Sequence, residues 1–153
     1  MDGSDLCAIA TVTPTGGAYI NTAYFARGPD FQVLWLSEPG ARHSRNIRAN
    51  ESVAVGVYDS RQSWGKPDSG VQLFGAARGL DGPSVADAEK LYAARFPGYW
   101  ETELGAYRFY ALRPRRMKLF DEREFGTGVF VTVRIARGGR LEWEGTEIYR
   151  PAA

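Results

Sequence analysis

Apolar and polar positions alternate in short runs along the first half of the chain, and each run stops at a turn cluster. Residues 6–13 (LCAIATVT) end at Pro14-Thr15-Gly16-Gly17, residues 18–26 end at Arg27-Gly28-Pro29-Asp30, and residues 31–37 (FQVLWLS) follow. Short strands joined by glycine- and proline-rich turns predict an antiparallel meander. Residues 38–50 (EPGARHSRNIRAN) break the pattern, with Ile47 as the single large apolar residue, and predict a loop entering a short helix over 41–50. Alternation resumes at 52–59 (SVAVGVYD), where Val53, Val55 and Val57 share one face, and again at 71–80 (VQLFGAARGL). Gly56 and Gly75 sit inside these two strands, where another backbone or a ligand could come close.

The period changes at 84–96. Val85, Ala88, Leu91, Tyr92 and Phe96 recur at helical spacing and predict one buried stripe, with Ser84 and Asp87 as a capping box and Pro97 as the stop. Residues 107–112 and 117–120 flank Pro114 and read as one strand bent by the proline. Residues 129–136 and 140–144 enclose Gly138-Gly139, a hairpin signal. Six or seven strands and two helices predict a mainly β fold, a small antiparallel barrel that avoids free edges by closing. No linker interrupts the pattern, so residues 1–153 are expected to form one domain.

Composition narrows the function. Nineteen basic against eighteen acidic residues leave a formal charge of +1, which gives no pull toward nucleic acid or an anionic membrane. No apolar run reaches the roughly 18 residues of a membrane span, and MDGSDL lacks the basic start of a signal peptide, so the expected location is the cytoplasm. One cysteine, Cys7, excludes an internal disulfide, and one histidine, His43, excludes a multi-histidine metal site. Cys7 lies in an apolar strand and reads as a small core residue. No Walker loop, nucleophile elbow or dinucleotide fingerprint occurs, so demanding chemistry here would fall to a bound cofactor.

The segment from Ser37 to Asn46 (SEPGARHSRN) carries the most chemistry. It follows a strand and opens a helix, where free N–H groups and the dipole favour an anion. Arg42 can grip a phosphate through two parallel hydrogen bonds, His43 adds a donor, and Ser37 and Ser44 can fill remaining oxygens. The same composition also suits a solvated helix start. Arg113, Arg115, Arg116 and Lys118 form a second basic cluster, but strand alternation splits it, and it reads as a solvated or interface-facing strand.

The order of these parts resembles the pyridoxamine 5′-phosphate oxidase-like superfamily of FMN-binding split β-barrels. The resemblance rests on the basic helix start after Ser37, on Asn50-x-x-Val53-Ala54-Val55, and on Gly70-Val71-Gln72-Leu73-Phe74-Gly75-Ala76-Ala77. It implies that Arg42 and His43 stand where the family holds the FMN phosphate, with Ser37 as the hydroxyl ending the strand. It places Gln72 against the flavin ring and Asn21 and Thr22 beside it. It also implies a homodimer with cofactor sites at the interface, for which Trp64 and the pair Tyr99-Trp100 are interface candidates. Three departures point away from pyridoxamine phosphate as substrate. His43 replaces a permanently charged lysine, Asn21 stands where those oxidases carry a basic residue, and their C-terminal tryptophan-arginine-arginine segment has no counterpart. The resulting expectation is an FMN-dependent oxidoreductase acting on another small molecule. Its rivals are a reductase using the deazaflavin F420, whose longer anionic tail Arg42, Arg45 and Arg48 could hold, and a non-catalytic flavin- or haem-binding protein.

Overall fold

Alternation in β1 (Leu6–Val12) turns Cys7, Ile9 and Thr11 inward and leaves the residues between them on the outer face. This computed structural model describes residues 1, 3–99 and 105–150. The other strands are β2 (Ala18–Arg27), β3 (Val33–Ser37), β4 (Ser52–Tyr58), β5 (Ser69–Gly79), β6 (Arg108–Asp121), β7 (Val129–Ile135) and β8 (Leu141–Ile148); the helices are α1 (Arg42–Ala49) and α2 (Pro83–Arg95). The sheet runs β3-β2-β1-β4-β5-β6-β7-β8, and a further pairing of β3 with β6 closes six of the strands into an antiparallel barrel. The mainly β split barrel expected from the sequence is therefore the fold, with eight strands rather than six or seven.

The barrel core is built from the inward positions of these strands. Ile9, Phe25, Val33, Trp35, Val55, Leu73 and Leu112 are essentially sealed from solvent, and Ile47 of α1 packs into the same cluster. Burying each such side chain contributes about 1.5–3 kcal/mol. A second cluster lies outside the barrel wall, where Ala88 and Tyr92 of α2 cover Ala26, Leu34, Leu80, Phe109 and Ala111. Val85, Leu91 and Phe96 pack against it, so the helical stripe read from the sequence is the buried face of α2. The start of α2 differs from the expectation. Pro83 takes the first helical position, where its missing N–H costs nothing; Gly82 precedes it at φ 52°, and the Ser84 hydroxyl donates to the Asp81 carbonyl instead of capping the helix. Phe31 lies in a turn with φ 62° rather than in β3.

β6 pairs with β5 along one edge and divides its other edge between two neighbours. Val33–Ser37 pair with its first half, and β7 pairs with Arg116–Phe120 of its second half. The change falls at Pro114, opposite a register shift between Phe74 and Gly75. A Cβ on Gly75 would stand 2.1 Å from the Arg113 carbonyl oxygen, so only glycine lets the strands approach here. Beyond the shift, Arg116 and Lys118 each meet a glutamate of β8, Glu144 at 2.6 Å and Glu147 at 2.9 Å. Two of the four residues of the basic cluster are thereby paired within the sheet. Burial pushes the Cys7 thiol up to about 12, which makes it an inert core residue. Among the described residues, no helix is long and apolar enough to cross a membrane.

Candidate functional site

β2 and β3 pair only at Phe25–Arg27 with Val33–Trp35. Below that point they part, and β2 from Ala18 to Tyr24 keeps β1 as its one strand neighbour. The opening is a cleft of about 440 Å³ lined by Asn21, Thr22, Ala23 and Tyr24 of β2, by Leu36, Ser37 and His43, and by Tyr92, Phe96, Tyr99 and Tyr107. Four of the residues singled out from the sequence, Asn21, Thr22, Ser37 and His43, thus meet at one place.

Their chemistry is specific. Ser37 Oγ and His43 Nε2 share a hydrogen bond of 2.6 Å, and burial lowers the imidazole pKa below its ordinary 6.5, favouring the neutral ring. Asn21 Oδ1 is shut off from solvent and accepts no hydrogen bond. An orphaned carbonyl of this kind costs about 1–3 kcal/mol unless a ligand or a water supplies the missing donor. The opposite wall is aromatic. Phe96 lies 5.6 Å from Tyr24 and 4.9 Å from Tyr92, and Tyr92 lies 5.4 Å from Tyr99. Burial pushes the Tyr92 phenol up to about 12, so it stays protonated. Sequence reading took the α2 stripe as core only; its far end also walls the cleft.

The remaining candidates lie outside the cleft. Arg42 opens α1 as an exposed residue with its guanidinium 5.3 Å from the Tyr19 ring centre, and it makes no ion pair among the described residues. Arg45 and Arg48 are occupied, donating to the carbonyls of Gly40 and Pro39 and so closing the turn before the helix. Ser44, in the first turn of α1, is completely buried, and its hydroxyl has no hydrogen-bond partner among the described residues. Gln72 faces outward in a row that crosses four strands, Thr22–Ala8–Gly56–Gln72. Three strand spacings put it about 14 Å from Thr22, beyond the cleft of its own chain. Tyr99 packs into the α2 aromatic cluster and donates its hydroxyl to Glu89, whereas Trp64 is fully exposed. Trp100 lies outside the described residues, as do residues 151–153.

A six-stranded antiparallel barrel, parted along one edge with a basic helix start at the opening, defines the split-barrel class. The family model for pyridoxamine 5′-phosphate oxidase matches residues 1–121, and the chain belongs to that family. No curated protein matches the chain in sequence. Among solved structures it is similar to a pyridoxamine 5′-phosphate oxidase-related, FMN-binding protein from Nostoc punctiforme, with 15% identity, TM-score 0.64, and 96% of this chain and 87% of that one covered. It is similar also to a haem-binding protein from Mycobacterium smegmatis, with 16% identity, TM-score 0.72, and 86% and 53% covered. A third is HutZ, the haem storage protein from Vibrio cholerae, with 18% identity, TM-score 0.64, and 72% and 82% covered. At these identities the likeness is one of fold, and the chain spans about half the length of the Mycobacterium protein. The β7–β8 hairpin lies beyond the matched segment.

Proposed function

We propose that the protein binds FMN, its phosphate at the start of α1 and its ring along the bare edge of β2, and acts as a homodimeric oxidoreductase on a small molecule other than pyridoxamine phosphate. The convergence of Asn21, Thr22, Ser37 and His43 on one cleft carries this reading. The residues fit the cofactor: Asn21 Oδ1 needs a donor, and a flavin ring brings N–H groups to its edge. Bound FMN supplies hydride and electron transfer. The chain's own part is to hold and enclose it. Arg42, which makes no ion pair among the described residues, takes the phosphate, and Ser37 fixes the ring of His43 beside it.

Two copies are required by this reading because Gln72 lies too far from the cleft of its own chain to reach a ligand there. The outer sheet face between the two is suited to a second copy. Small residues Ala8, Ala10, Ala54 and Gly56 form its flat middle, and the exposed Leu6, Ile20, Tyr24, Tyr58 and Phe74 surround them. The deazaflavin alternative asks for several free arginines on α1, and two of the three are already engaged. The haem alternative draws on the two haem proteins of similar fold, yet it must use an imidazole whose Nε2 is held by Ser37.

The absorption spectrum of the protein as purified, followed by titration with FMN, tests the proposal. Flavin bands, or tight uptake of added FMN, support it. A Soret band, or a colourless protein that refuses FMN, refutes it.

A further inference from the structure

The cleft has two walls of different character, and only one is used by the flavin reading. The β2 and α1 side carries its polar groups. The α2 side is formed by Tyr24, Tyr92, Phe96, Tyr99 and Tyr107, with ring centres 4.9–5.6 Å apart along the chain Tyr24–Phe96–Tyr92–Tyr99. Phe96 is the joint, meeting Tyr24 edge-on at 74° and Tyr92 at 50°. Tyr92 is buried behind the others, whereas Tyr24 and Tyr107 are exposed and Phe96 and Tyr99 half-buried, so these four rings present surface to a flat ligand.

The charge of the cleft is as distinctive as its rings. Among its described lining residues there is no Lys, Arg, Asp or Glu. His43 is the one group that titrates near neutrality, and burial favours its neutral form. Arg95 stands behind the wall and does not serve the cleft. Its guanidinium lies 4.6 Å from the Phe25 ring and 5.6 Å from that of Phe96, donates to the Ser4 carbonyl and pairs with Asp5 at 3.7 Å. A phosphate or carboxylate seated against the α2 wall would lose its water and gain no counter-charge, which is strongly unfavourable.

We infer that the α2 wall is the seat of an uncharged, planar aromatic ligand, the substrate class of this site. The inference rests on the flavin reading for the ligand's neighbour, and the wall itself selects the ligand by stacking and by the absence of a cation.

The test compares 2-naphthol with 2-naphthyl phosphate, which share a ring system and differ in charge, by calorimetric titration of FMN-saturated protein. Wild type is expected to bind the alcohol at least tenfold more tightly than the ester. Phe96→Leu keeps an apolar side chain and removes the ring, and should weaken the alcohol roughly tenfold while leaving FMN affinity within about twofold and the melting temperature near wild type. Phe96→Arg places a cation in the wall and should reverse the preference toward the ester. Equal or tighter binding of the ester by wild type overturns the inference, as does one-for-one displacement of FMN by 2-naphthol or indifference of both probes to Phe96. The same titration without FMN separates the two readings. Protein that never takes FMN but still prefers the alcohol fails the flavin reading alone and upholds the uncharged aromatic site.

Discussion

The hydroxyl of Ser37 lies 2.6 Å from Nε2 of His43, joining the last residue of β3 to the second residue of α1 across the turn between them. Serine cannot neutralise an imidazolium, and burial of the ring therefore lowers its pKa below 6.5.

Acid sensitivity follows from that relationship. The unfolded chain binds a proton at His43 below about pH 6.5 that the folded chain resists, so the unfolded state gains from acid. Stability should rise with pH up to about 6.5 and be level, as far as His43 is concerned, above it. His43→Gln keeps a polar partner for Ser37 without a titrating group and should flatten that part of the profile. Urea unfolding at several pH values between 5 and 8 measures it; an unchanged slope in the variant would show that His43 titrates alike in both states.

Arg42 should matter to the phosphate and to little else. Its removal deletes charge-assisted hydrogen bonds of roughly 1.5–3 kcal/mol, a loss of about ten- to a hundredfold in FMN affinity. Arg42→Lys should recover part of this, since an ammonium lacks the two-pronged grip. Riboflavin, which has no phosphate, should bind wild type and Arg42→Ala equally. Fluorescence quenching gives each of these constants, with Arg137→Ala in the β7–β8 turn as control.

Gly75 should be irreplaceable. Alanine would drive its Cβ into the Arg113 carbonyl, and the overpacking should cost about 3 kcal/mol, or roughly 6–12 °C in melting temperature. Gly145→Ala, with open space around the added carbon, should melt near wild type.

Ala54 tests the second copy. It lies between Ala10 and Phe74 on the flat outer face, and Ala54→Glu puts a charge there. Sedimentation at micromolar concentration should show a dimer for wild type and a monomer for the variant, with FMN affinity falling as the dimer is lost. Two dimers would place the assembly face elsewhere, and a monomeric wild type would refute the second copy.

Much of this architecture was legible in the sequence because it is local. The valines of β4 and the α2 stripe announce their period within a few residues, and Pro114 marks the bend of β6. Ser37 and His43 could be named as candidates from the composition of the helix start, and Asn21 and Thr22 from the family resemblance. The parting of β2 from β3 could not, because it depends on where β3 finds β6, some seventy residues on. For the same reason Arg45 and Arg48 looked like ligands of an anion when they serve the turn before them. Gln72 looked like part of the same pocket, though only its register against β4 shows how far along the sheet it stands.

The bare edge of β2 sets what this site can change and what it must keep. Where the cleft runs along Asn21–Tyr24, part of its border is a strand edge that no neighbouring strand covers. Peptide groups are the same whatever residue but proline carries them, so the main-chain donors and acceptors of that border do not depend on the side chains beside them. The side chains of α2 and of the α1 turn are free to drift around it. Such a scaffold can exchange ligands over generations by rewriting the walls alone, keeping a constant main-chain grip while the rest of the chain diverges.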